Sequence, residues 1–229
     1  MKTLCLIILL VGSSSFAAIP QVTVEELLTL PEANRKLIAN MQPKSFYNKV
    51  VGVAFDNQKP MSIRWKALML ASDLGKKSAI ADLMKASRSN DWFMRNASLV
   101  ALKDQDAELS YHVAKKLVQD KALVVRSAAV DVIAGSKDPA ARSLLWEELN
   151  QKYNFKNKSS LWIRSQIVEV LSDHPEVHEK NKFVSLLSDT DNKLHQSAVQ
   201  ALEKVTGKVL GDKKTPMDKK VALWKKEIL

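Results

Sequence analysis

Cysteine is almost absent from this chain. Its single copy, Cys5, excludes an intramolecular disulfide and any paired-thiol metal or redox site. Glycine is scarce too: the six residues are scattered singly, so no glycine-rich loop exists to wrap a phosphate. There is no nucleophile elbow and no zincin motif. The four histidines form no ligand set. His174 and His178 are four apart beside Glu176 and Glu179, but His174 precedes Pro175 and belongs to a cap, and His112 and His195 lie elsewhere. Neighbouring carboxylates such as Glu147 and Glu148 read as a solvated helix face. The chain is therefore expected not to be an enzyme and to hold no metal or cofactor. No apolar run approaches the roughly 18 residues of a membrane-crossing helix.

The first 17 residues have the pattern of an export signal. Lys2 supplies the positive start, residues 4–12 the short apolar run, and Ser15-Phe16-Ala17 the small residues a signal peptidase inspects. Cleavage after Ala17 removes Cys5 and leaves 212 residues, enough for a core without disulfides. The expected location is the periplasm, with secretion the second choice.

What the chain has in quantity is a rhythm. Arg64, Arg95, Arg126, Arg164 and His195 follow one another at intervals of 31, 31, 38 and 31 residues, the length of a helical hairpin. Just before them stand Ile63, Met94, Val125, Ile163 and Leu194. Four residues after come Leu68, Leu99, Val130, Val168 and Val199; seven after, Ala71, Leu102, Ile133, Leu171 and Leu202. All fifteen are apolar in a chain that is 46% apolar, a coincidence of about one in a hundred thousand for unpatterned sequence. These offsets gather on one stripe of a 3.6-residue helix, and no strand-like alternation competes.

Caps and turns place the remaining helices. Asp138-Pro139 and Thr215-Pro216 put an acceptor before a proline at a helix start. Gly75, Gly135 and Gly207 follow helical stripes, where a left-handed cap is expected. The pattern predicts a helix at 23–41, then pairs at 43–55 with 61–74, 76–87 with 91–103, 107–119 with 122–134, 138–151 with 159–172, and 176–188 with 191–206, and a last helix at 216–228. The long interval comes from seven extra residues near 150–160, a lysine-bearing segment without acids that reads as a surface loop.

These columns resemble HEAT repeats, particularly the short bacterial, lyase-type HEAT-like kind. The second-helix signature of that family is matched by Asp91-Trp92-Phe93-Met94-Arg95-Asn96-Ala97, by Asp120 with Val125-Arg126-Ser127-Ala128-Ala129, and less fully by Leu161-Trp162-Ile163-Arg164, where Ser159 and Ser160 replace the acid. The last copy keeps Asp189 and Asp191 but carries His195. The resemblance covers roughly residues 43–228. It implies an all-α fold, a right-handed α-solenoid of about five HEAT-like hairpins: signal peptide 1–17, N-terminal capping helix 18–42, repeats 43–206, and a basic C-terminal segment with a capping helix, 207–229. It also implies that Arg64, Arg95, Arg126, Arg164 and His195 are structural, pairing with turn aspartates between repeats.

The opposite side of each second helix, concave in the family, is where a partner is expected. It carries Ser62, Trp65 and Met69; Phe93, Asn96 and Val100; Val124, Ser127 and Asp131; Trp162, Ser165 and Glu169; and Lys193, Gln196 and Gln200. Its aromatic and aliphatic members make Trp65, Met69, Phe93, Asn96, Val100, Trp162 and Gln196 the candidate partner-binding residues, unless neighbouring helices cover them; the long loop is expected to cover part of Trp162. The net charge of +10, with Lys204, Lys208, Lys213, Lys214, Lys219, Lys220, Lys225 and Lys226 near the end, favours acidic partners. Three readings follow: an exported scaffold that grips a protein partner, a lysine-rich protein attached to anionic envelope polymer or lipid, and a lyase-type accessory protein. Nucleic acid is disfavoured, because export removes the chain from it and Lys193 on the inner face is balanced by Asp131 and Glu169.

Overall fold

The computed structural model describes residues 22–228; the expected signal peptide lies outside the described residues. The chain is all-α. Its helices are α1 (Val24–Thr29), α2 (Glu32–Asn40), α3 (Phe46–Phe55), α4 (Met61–Gly75), α5 (Ile80–Ala86), α6 (Trp92–Gln105), α7 (Ala107–Leu117), α8 (Leu123–Ala134), α9 (Ala141–Leu149), α10 (Trp162–Asp173), α11 (Lys180–Leu186), α12 (Lys193–Thr206) and α13 (Met217–Ile228). Short 3-10 turns at Lys76–Ala79 and Val177–Glu179 lead into α5 and α11.

Contacts between helices follow a simple rule. α3 packs on α4, α5 on α6, α7 on α8, α9 on α10 and α11 on α12. The second members also pack on one another in series, α4 on α6, α6 on α8, α8 on α10 and α10 on α12. At the ends, α1 and α2 lie against α4, and α13 against α12. The apolar columns explain the series: fourteen of their fifteen residues are buried and Ile63 is half-buried. Each Val, Leu, Ile or Met among them contributes about 1.5–3 kcal/mol when withdrawn from water. At the C-terminal end, α13 buries Val221 and Trp224 over α12.

Several local expectations are corrected. The single helix at 23–41 is two, because Pro31 lacks an N–H and forces Leu30 into extended backbone (φ −73°, ψ 155°). Of the three supposed glycine caps only Gly207 is left-handed (φ 69°). Gly135 stays right-handed at the end of α8 (φ −81°). Gly75 is also right-handed (φ −82°), and the positive φ there belongs to Lys76 (47°). What Gly75 provides is space: a Cβ would come within 2.6 Å of the Tyr47 ring.

The seven-residue insertion is not plain loop. A 3-10 turn, Lys152–Asn154, leads into a two-stranded antiparallel ribbon, β1 (Phe155–Lys156) and β2 (Ser159–Ser160). Asn157 and Lys158 close it with φ of 50° and 66°, the pair of positive values a type I′ turn requires.

Candidate binding surface

The recurring arginines do not face solvent. Arg64, Arg95, Arg126 and Arg164 are all buried, at 7%, 7%, 4% and 1% exposure. Position zero lies within the arc of the apolar columns, so the aliphatic stem is drawn into the core while the head must find partners. Arg95 meets Asp120 in the next turn along the chain, Nε to Oδ2 at 2.6 Å and Nη2 to Oδ1 at 2.7 Å. Arg164 repeats this with Asp189, again 25 residues on, through Nη2 at 2.6 Å. Arg64 reaches Asp91 at 2.9 Å and the Ala54 carbonyl at 3.2 Å. The same heads fasten the turn preceding their own helix: Arg95 donates to the Ser89 carbonyl, Arg126 to that of Asp120, and His195 Nε2 lies 3.1 Å from that of Asp189, each six residues back.

Burial pushes the Asp120 carboxyl upward, but the Arg95 bonds and the Ala122 N–H outweigh it and hold the group below the ordinary aspartate value. Asp189 is lowered by the same balance, with Arg164 and the Asp191 N–H as donors.

Arg126 breaks the pattern. No aspartate lies between Asp138 and Asp173 for it to meet, and Arg126 Nη2 donates to the Tyr153 carbonyl at 3.1 Å, with the Tyr153 ring centroid 5.6 Å away. Its Nε has no partner. Desolvation pulls this guanidinium below the ordinary arginine value. Glu148, read from sequence as solvated, is buried at 3%. It accepts from Gln119 Nε2 at 3.2 Å and from the Tyr153 hydroxyl, while Glu147 is exposed. Glu179 is likewise buried, held by Arg142 Nε at 3.0 Å, Arg142 Nη2 at 2.5 Å and the Trp146 indole at 2.7 Å. Burial raises Glu179, and these donors with the Glu176 N–H bring it below the usual range. A carboxylate so engaged is unavailable to a metal. His174 is the C-cap of α10, and His178 pairs with Glu176 at 3.2 Å.

The second-helix face is less open than its sequence suggests. Phe93 is buried at 8%, because the Arg64 guanidinium lies 5.0 Å from its ring centroid and Trp92 packs against it edge-on at 6.1 Å. It is not available to a partner. Trp65, Met69 and Asn96 are half-buried; Asn96 Nδ2 donates to the Val124 carbonyl across the α6–α8 contact at 3.2 Å. Only Val100, Trp162 and Gln196 of the candidate set are exposed.

Trp162 is 47% exposed and lines one depression with Lys158, Ser159 and Ser160 of the insertion. The residue missed from sequence is Trp92, 43% exposed. Its signal was its place as the first residue of the helix, one step off the face considered. With Val124 at 44%, these give α6, α8 and α10 each an exposed apolar residue in the first helical turn.

The exposed members of this series are two indoles and an aliphatic side chain. Among the described residues no group of three His, Cys, Asp or Glu is placed to hold a metal ion, and no helix is long and apolar enough to cross a membrane. Comparison with protein-family models finds none that matches the chain, and no curated protein sequence matches it.

Proposed function

We propose that the chain is an exported, periplasmic, non-enzymatic scaffold, a right-handed α-solenoid of five HEAT-like hairpins that holds a protein partner along its second-helix row. The observation that carries this reading is the exposed series Trp92, Val124 and Trp162 at the starts of α6, α8 and α10. Large aromatics held on rigid neighbouring helices lose little entropy on binding and are the side chains that anchor protein interfaces. The 31-residue rhythm, the buried columns and the serial contacts of the second helices support the HEAT-like reading, and the residue pattern before Ala17 supports export.

The test is recovery of a partner from an envelope fraction by wild-type protein and by a Trp92→Ala, Val124→Ser, Trp162→Ala variant, with circular dichroism to confirm the fold. Loss of recovery in the variant is expected. Equal recovery by both proteins removes the row from the account.

A second reading has its own observation. Lys213, Lys214, Lys219, Lys225 and Lys226 are all exposed in the C-terminal segment, which suits attachment to an anionic envelope polymer or lipid. Under that reading, retention on the envelope collapses with salt and ignores the aromatic substitutions.

A further inference from the structure

The insertion that interrupts the rhythm also builds a depression of about 370 Å³ between the β1–β2 turn and the turn that opens α12. That size falls within the roughly 300–1,000 Å³ of small-ligand sites. Lys158 comes to its rim from the type I′ turn, and Lys193 from the first position of α12. Trp162 and Ser165 contribute from α10, Ser159 from β2 and Thr190 from the turn before α12. The Ser165 hydroxyl is buried at the floor and has no hydrogen-bond partner in the protein, so the hydroxyls open to a ligand are those of Ser159 and Thr190. The one acid, Asp191, accepts from the Lys193 backbone N–H at 3.1 Å, and against its single charge the two lysines leave the rim net positive.

The chemistry of this lining is selective. It has one exposed indole and no aliphatic side chain, which gives an apolar peptide side chain little to pack against. Hydroxyls beside an open aromatic face suit a ring with a C–H face and several hydroxyls of its own. Two ammonium groups suit a carboxylate on that ring. We propose that this depression binds an acidic sugar, a hexuronic acid residue of an acidic glycan. The site goes beyond the protein-binding row and shares only Trp162 with it.

The test is isothermal titration of the full chain with a galacturonic acid trimer, a neutral galactose trimer and a glutamate tripeptide. The acidic sugar is expected to bind saturably, with the neutral sugar at least about tenfold weaker, as loss of one charge-assisted bond implies. Lys158→Ala with Lys193→Ala is expected to weaken binding by at least about tenfold, and Trp162→Ala by a comparable factor. These side chains are exposed, so the variants keep the fold, which thermal melting verifies. Lys213→Ala with Lys214→Ala removes the same charge elsewhere and is expected to change nothing. Trp92→Ala with Val124→Ser is expected to keep sugar binding even where partner recovery is lost, which separates this site from the row. No saturable binding overturns the proposal, as does an equal loss in the Lys213/Lys214 variant. Tripeptide binding as tight as the sugar's and indifferent to Trp162→Ala overturns it in favour of an acidic peptide.

Discussion

Arg95 and Asp120 form a bidentate pair, Nε to Oδ2 and Nη2 to Oδ1, with side chains only 8% and 6% exposed. The Asp120 backbone carbonyl also accepts from Arg126 Nη1 at 2.7 Å. One turn aspartate therefore ties α6 to the turn before α8 and that turn to α8 itself.

Removing that charge is expected to be expensive. Asp120→Asn leaves a buried guanidinium without its counter-ion, which costs about 3–5 kcal/mol and lowers Tm by about 6–20 °C for a chain of this size. Arg126→Met removes two bonds to carbonyls and an Nε that has no partner, and is expected to cost about 1–2 kcal/mol. Thermal melts followed by circular dichroism compare the two. A larger loss for Arg126→Met would show that charge pairing is not what fastens the turns.

Stability is expected to fall in acid. Asp120, Asp189 and Glu179 all have folded-state pKa values below their ordinary 3.8, 3.8 and 4.5. A depressed carboxyl contributes stability that is fully present above its unfolded value and lost as pH falls through the folded one. Urea midpoints are thus expected to show no loss from these groups between neutrality and about pH 5 and a progressive one below about pH 4.5. A midpoint that rises or stays flat between pH 4.5 and pH 3 contradicts the assignment of these three groups.

Two glycines at helix ends are expected to respond oppositely. At Gly75 a methyl would meet Tyr47 Cε2 at 2.6 Å and Ala79 Cβ at 2.9 Å. Tyr47 is itself tethered through its hydroxyl to Asp82 Oδ2 at 2.6 Å. Gly75→Ala is expected to cost about 1–3 kcal/mol by overpacking. At Gly135 the nearest atom is 3.6 Å away and the backbone is helical, so Gly135→Ala is expected to be neutral or to stabilise by up to about 1 kcal/mol. Denaturant titration separates them, and matching effects would refute the steric account.

The all-α class was readable from the columns because a core stripe leaves a periodic trace that needs no knowledge of neighbours. Most local turn chemistry was not readable. Gly75 and Gly207 look alike in sequence, yet one provides clearance for a distant tyrosine and the other a left-handed cap. Pro31, by contrast, carried its helix break openly, since its effect is confined to its own backbone and that of Leu30. The candidate surface was half legible. Trp162 stands open, but Phe93 is sealed by Arg64 from the preceding second helix, a contact between residues 29 positions apart. Glu148 misled for the same reason: it accepts from Gln119, 29 positions earlier.

By itself, the sequence determined that this protein is helical, which stripe of each second helix is apolar, and where the rhythm is interrupted. Those properties are set by local backbone preference and the 3.6-residue period, both written along the chain. Only the tertiary structure decided which residues remain in solvent, which arginines find a carboxylate, and that the inserted segment folds into a ribbon beside Trp162. Exposure and ion pairing depend on what lies across a helix contact, and the residues that meet there are about a repeat apart.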